Sequence, residues 1–491
     1  MSQQLRRCVR AGLVAAITLL MLVIAHERPR SQAATPASAR LADLFARGGA
    51  LEDTNGDEVT DWVAARVVVG PSAPAGDVAA AANVAARFGF ETMAMDLPVV
   101  AGDATVPSGV RTLVLVGRDN PAVAQLVTRG AIAIPTTAGE GVVAHVPAAV
   151  SGLGADAVVV AGADEAGTAA ASEALAGRAP YLWALGGPTF STIEKDLQAF
   201  LSTAGVAPES ATVSAATVAH GTHEWATVTI EAGVPAGARP KARAALQSLA
   251  LAHGRGTRGD TLSYPGVAAL VVRFPAASAT APASSVRVRR VGDGPAAPTQ
   301  RRGGGGRKAV DLSNLYSNDG LLGDSQNDLV PDRIDATIVP AGAAEAAGAV
   351  DLAARLGLES AGIKVPIART LQDAKQAAGE PTPILIGRAH PLVDELVSAK
   401  KLDLADLGPG QGLIRVVPNA FGQSPAVVVT GGDAAGVRRA ATQMAERLPH
   451  VWERGKDRTT VESIEDDARR LIAGVSPEGQ AAHALYQLDR L

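Results

Sequence analysis

Asp53, Asn55, Asp57 and Asp61 place oxygen-bearing side chains at positions 1, 3, 5 and 9 of a short acidic segment, with a backbone carbonyl available at position 7. Asp324, Gln326, Asp328 and Asp332 repeat that spacing, and Asp335 adds a carboxylate at position 12, where the first segment has Ala64. Alternate positions let one turning backbone aim several oxygens at a single hard cation, so the chemistry to expect is structural Ca2+ binding. The same residues also suit a plain hairpin. Asn55-Gly56 is a strong type I′ turn signal, and acidic side chains solvate turns. Neither segment has glycine at position 6, where an EF-hand makes its sharp turn; Glu58 and Leu329 stand there.

Other candidates carry less chemistry. Gly117-Arg118 and Gly387-Arg388 follow apolar runs and lead into helical patterns. Arg118 and Arg388 therefore sit where open α/β sheets take ligands, and each could grip a carboxylate or phosphate bidentately. The plain alternative is a glycine that ends a strand and an arginine that decorates a helix start. Gly139-Glu140-Gly141 and Gly410-Gln411-Gly412 precede strands and so lack the context of a phosphate loop. His220, His223 and Glu224 cluster before a strand, and His450 and Glu453 have a metalloprotease-like spacing without a third ligand in range. Trp183 and Trp452 read as core packing or as sugar-stacking platforms. There is no nucleophile elbow and no Walker motif.

These candidates recur because the chain repeats itself. Asp53, Asp57 and Asp61 reappear as Asp324, Asp328 and Asp332, each 271 positions on (324 − 53, 328 − 57, 332 − 61). Leu44, Gly49, Gly162, Asp164 and Arg178 match Leu315, Gly320, Gly431, Asp433 and Arg447. A period this long predicts duplication of a whole domain. The expected organisation is a signal segment over 1–33, a first α/β copy over 41–185, a small α+β module over 189–275 and a flexible linker over 276–310. A second α/β copy over 311–455 and the start of a second small module over 459–491, read as truncated, complete it. Within each copy, continuous Val-rich runs alternate with Ala-rich helical patterns, which predicts an α/β layered fold with a largely parallel sheet. The intervening module reads as ferredoxin-like.

The 491 residues carry a net charge of −4, which gives no electrostatic case for nucleic acid. Aromatic content is 3 %, so Ala, Val and Gly must build the core. Arg6, Arg7 and Arg10 precede an apolar run over 11–25 and a small-residue stretch at 31–34, the pattern of an export signal or an uncleaved anchor. Membrane association is expected only through that segment. The single cysteine, Cys8, lies inside it, so a processed chain would hold no thiol. The expected location is periplasmic or extracellular.

The acidic segments resemble the short calcium loops of thrombospondin type 3 repeats and dockerins more than an EF-hand. The order "LVLVGRDNPAVAQL", "GEGVVAHVP", "AVVVAGADEAGTAAASEAL" resembles non-catalytic α/β modules of exported bacterial proteins, as found before glycosidase domains and in the periplasmic subunit of cellulose synthase. A weaker likeness is to the N-terminal regions of exported zinc carboxypeptidase-like proteins. The resemblance implies a supporting, binding role on cell-wall or carbohydrate polymers and transfers no catalytic residue. Two alternatives remain open on the sequence: the front of an exported hydrolase whose catalytic domain lies beyond residue 491, and a two-lobed solute-binding protein.

Overall fold

The structure is a computed structural model that describes residues 40–182, 187–222, 224–252, 266–274, 284–289, 310–376, 381–451 and 459–473. The expected signal segment, His223, Glu453, Trp183, Trp452 and most of the expected linker lie outside the described residues.

In the first half, β1 (Leu51–Glu52) and β2 (Trp62–Val63) bracket the first acidic loop. There follow β3 (Ala65–Val69), α1 (Ala75–Phe90), β4 (Val100–Ala101), β5 (Thr112–Val116), α2 (Pro121–Thr128), β6 (Glu140–Val146), α3 (Ala148–Ser151), β7 (Asp156–Gly162) and α4 (Glu165–Gly177). The small module supplies α5 (Phe190–Thr203), β8 (Ser210–Ala219), β9 (Trp225–Gly233), α6 (Arg239–Ala252), β10 (Ala269–Phe274) and β11 (Ser284–Arg289). The second half has β12 (Leu322–Gly323), β13 (Arg333–Ile334), β14 (Ala336–Pro340), α7 (Ala346–Leu358), α8 (Leu371–Gln376), β15 (Thr382–Ile386), α9 (Pro391–Ser398), β16 (Gly412–Phe421), β17 (Ser424–Gly431), α10 (Ala434–Thr442) and α11 (Val461–Ala473).

The expected α/β class is present. One sheet runs β11-β10-β9-β8-β6-β7-β5-β3-β4 and another runs β14-β15-β17-β16. β7, β5, β3 and β4 are parallel, as are β14, β15 and β17; β6 and β16 run antiparallel to β7 and β17, and β8–β9 and β10–β11 are further antiparallel pairs. Side-chain caps open several of the helices. Asn120 accepts from the Ala122 N–H at 3.0 Å, and Asp164 and Asp433 accept from Gly167 and Gly436 at 2.8 Å each. Each cap satisfies an N–H that the first helical turn leaves without a partner.

Three expectations change. The small module is not a separate sheet: β8 pairs antiparallel with β6, from Glu140↔Ala219 to Ala144↔Ala215. An antiparallel β6 offers an open row of backbone groups, and β8 satisfies it. Residues 284–289, inside the stretch read as flexible linker, form β11 against β10. Their alternating Val286, Arg287, Val288, Arg289 pattern has the period of a strand. Third, α1 reads as amphipathic but is buried on every side from Gly76 to Gly89. Its Ala-rich surface packs on its own sheet, on α4 and on α7 of the other half, and its polar residues Asp77, Asn83 and Arg87 are buried with it.

One continuous core therefore spans both halves. It joins Val67, Val114 and Val158 of the first sheet to Ile338, Ile384 and Val427 of the second through α1, α4, α7 and α10. Separate clusters cover the outer faces, under α2 in the first half and under α9 in the second. Among the described residues no helix is long and apolar enough to cross a membrane.

Candidate functional site

Both acidic segments are hairpin loops. β1 pairs with β2 (Leu51↔Val63) and β12 with β13 (Leu322↔Ile334). Inside the first loop the Asp53 carboxylate accepts backbone N–H groups from Gly56 (2.6 Å), Asp57 (3.2 Å) and Glu58 (2.8 Å). Asn55 Oδ1 accepts from Asp57 N–H, and Asp57 Oδ1 from Val59 N–H. Asp61 accepts from the backbone and hydroxyl of Thr54. In the second loop Asp324 accepts from Gln326, Asp328 and Leu329, Asp328 from Val330, and Asp332 from Ser325. The slight desolvation of Asp53 acts to raise its pKa, but the N–H groups of Gly56, Glu58 and Asp57 hold it below the usual carboxylate range. The Ser325 hydroxyl and N–H do the same for Asp332.

Position 6 of each loop, like position 4, has a positive φ. Glu58 has φ +71° and Leu329 φ +70°, the left-handed region that an EF-hand reserves for glycine. The backbone at position 6 thus adopts a left-handed conformation without the glycine that makes it easy. The donors also suit a hard cation, being carboxylates and a carboxamide with no nitrogen or sulfur ligand. Asp53, Asn55, Asp57 and Asp61 would hold it in the first loop, and Asp324, Gln326, Asp328 and Asp332 in the second. Asp335 is engaged elsewhere: both its oxygens take the Arg333 guanidinium, at 2.6 and 2.8 Å. Among the described residues no three acidic, histidine or cysteine side chains converge on one point; the carboxylates face the loops' own N–H groups.

The strand-end arginines are exposed and bound to backbone. Arg118 Nη1 donates to Ala163 O at 2.8 Å, and Arg388 Nη1 to Gly431 O at 2.8 Å. Each straps the end of its strand to the neighbouring one. The recurring Gly141 and Gly412 serve packing: a Cβ would lie 1.9 Å from Gly167 O and 2.4 Å from Gly436 O. They let α4 and α10 approach their sheets.

Beside Arg118 the structure gathers carboxyls that no sequence motif marks. Asp77, in the first turn of α1, is 4 % exposed and backs onto Gly117. The Gly76 N–H donates to Glu165 at 3.0 Å. Burial pushes the Asp77 carboxyl up to about 6; the Thr168 hydroxyl opposes this, and the charges of Glu165 and Asp119 add to it. Asp77 can therefore hold or release a proton near neutrality, yet the charges acting on it are both acidic. The second half has Glu345 at this place (345 − 77 = 268), also raised by burial, but Ala434 and Ala389 in place of Glu165 and Asp119. A cavity of about 210 Å³ lies between Phe45, Arg87, Glu91 and Tyr181. It falls below the roughly 300 Å³ at which ligand pockets begin, and its Arg87 and Glu91 are already paired.

No protein-family model matches the chain, and no curated protein is recognisably similar to it in sequence.

Proposed function

We propose that this chain is an exported, non-catalytic binding or accessory region, stabilised by calcium at its two hairpin loops and acting on cell-wall or carbohydrate polymers. The observation that carries this reading is the seam between the halves. α1 and α7 meet where a Cβ on Gly89 would lie 1.9 Å from Ala354 O and one on Gly357 would lie 2.0 Å from Ala86 O. Backbone-to-backbone contact this close, inside a continuous core, supports one rigid platform that presents its loops outward. It weighs against the alternative of two lobes closing on a solute, because hinge closure needs an interface that opens.

Paired contacts support descent of the halves from one ancestral domain. Arg87 stacks on Phe45 and donates to Ala176 O; Arg355 stacks on Tyr316 and donates to Ala445 O. The test is co-sedimentation of the purified chain with insoluble peptidoglycan, cellulose and chitin, with calcium and with chelator. Retention on one polymer that weakens in chelator is the expected result. No retention on any of them under either condition would sink the reading.

A further inference from the structure

The seam contains one asymmetry. Asn83 on α1 and Asp351 on α7 occupy matching places (351 − 83 = 268), and each reaches into the other half. Asn83 Oδ1 accepts the N–H groups of Ile367 (2.8 Å) and Ala368 (2.9 Å), and its Nδ2 donates to Ala368 O (3.1 Å). Asp351 Oδ1 accepts the Val99 N–H at 2.9 Å, and its carboxyl also takes the Val100 N–H. Val99 and Val100 match Ile367 and Ala368 (367 − 99 = 268, 368 − 100 = 268). The strand contacts match as well: Val67 N–H donates to Val99 O, and Ile338 N–H to Ile367 O. On the Asn83 side the amide group meets a carbonyl. By this correspondence the second oxygen of Asp351 replaces the Asn83 amide group, and an oxygen in that place can bond a carbonyl only as O–H.

We propose that Asp351 is a protonated clasp: its carboxylic acid donates to the Val100 carbonyl as Asn83 donates to Ala368, so the two halves are held tightest in acid and loosen when Asp351 ionises. The surroundings favour the neutral acid. Asp351 is 6 % exposed, and burial pushes its pKa up to about 7 against the Val99 and Val100 N–H groups, with Glu446 adding to the rise and Arg66 opposing it.

Among the described residues no side chain forms an ion pair with Asp351. Arg66 on β3 donates to Val63 O and Ala65 O, and of the charges acting on it Asp351 comes first and Asp96 second. On α1, Arg87 is tied to Glu91, and Asp77 lies two turns away in the first turn. On α7 itself, Arg355 is tied to Glu359. The 443–447 turn carries Glu446 and Arg447, α10 carries Arg438 and Arg439, and Glu345 precedes α7. The sign follows. A carboxyl whose folded pKa is raised contributes stability that is fully present below about pH 4 and is lost as pH rises to about 7. The shift corresponds to a loss of up to roughly a thousandfold in the folding equilibrium constant.

The experiment compares the full chain with Asp351→Asn and Asn83→Asp by denaturant unfolding from pH 4 to pH 8. The proposal expects Asp351→Asn to match the parent at pH 4 and to exceed it increasingly up to pH 7. Asn83→Asp should add a second, like-signed loss over the same range. An Asp351→Asn profile that runs parallel to the parent overturns the proposal. A second measurement does not depend on any variant folding. Carbon-13 carboxyl titration of the parent should give Asp351 a midpoint well above that of an ordinary aspartate, and a midpoint near 4 overturns the proposal equally.

Discussion

Asn83 and Ala368 lie 285 residues apart, yet they exchange hydrogen bonds in both directions, the Asn83 side chain accepting the Ala368 N–H and donating to its carbonyl. Asn83 is 2 % exposed, so water cannot replace what it supplies. Truncating it leaves the N–H groups of Ile367 and Ala368 buried without their acceptor. Asn83→Ala should cost about 2–4 kcal/mol, since each unsatisfied buried group costs roughly 1–3 kcal/mol. Denaturant unfolding measures it, and a loss under 1 kcal/mol would show that the two halves do not depend on this contact.

Helical glycines are normally improved by alanine, by about 0.5–1 kcal/mol. Gly89 and Gly357 should show the opposite sign. A methyl at either place meets a backbone carbonyl of the facing helix, which cannot move aside as a side chain would. Gly89→Ala and Gly357→Ala should each destabilise by about 1–3 kcal/mol or more through overpacking. A stabilising alanine at either site would mean that the helices do not approach this closely in solution.

Asp77 gives a pH-dependent prediction. Burial raises its pKa to about 6, so its contribution is complete below about pH 4 and lost as pH climbs to about 6. Asp77→Asn should be neutral at pH 4 and stabilising by about 3 kcal/mol at pH 7 to 8. Thermal melts of both proteins across that range decide it; an equal difference at every pH would show that Asp77 ionises normally.

The acidic loops give a ligand-dependent prediction. Calcium that binds only the folded chain should stabilise it by about 2–4 kcal/mol at a hundred- to thousandfold excess over the dissociation constant. Asp57→Ala and Asp328→Ala should each remove part of that gain. If chelator leaves the melting temperature of the parent unchanged, the loops are hairpins and nothing more.

Leu329 is 87 % exposed at φ +70°. A side chain in the left-handed region costs roughly 1–2 kcal/mol and here gains no burial in return. Leu329→Gly should therefore stabilise the chain by up to about 1 kcal/mol in chelator. A loss on this change would mean that the leucine side chain makes contacts that the exposed loop does not display.

Sequence patterns of short range were legible. Alternating Val-rich runs and Ala-rich helices predict β5, β7, β15 and β17, and Asn120, Asp164 and Asp433 mark helix starts, because a cap bonds an N–H only two or three residues away. The spacing of Asp53, Asn55, Asp57 and Asp61 likewise specified a loop whose partners lie within itself. What stayed hidden depends on residues far apart in the chain. Nothing local distinguishes Asn83 or Asp351 from a solvated helix residue, or Gly89 from an ordinary helical glycine. The joining of β8 to β6, the full burial of α1 and the desolvation that raises the pKa values of Asp77 and Asp351 all arise from which surfaces meet. The local sequence set the elements and their caps, whereas the tertiary structure decided which polar groups lose water, and only that loss gives Asn83 and Asp351 their roles.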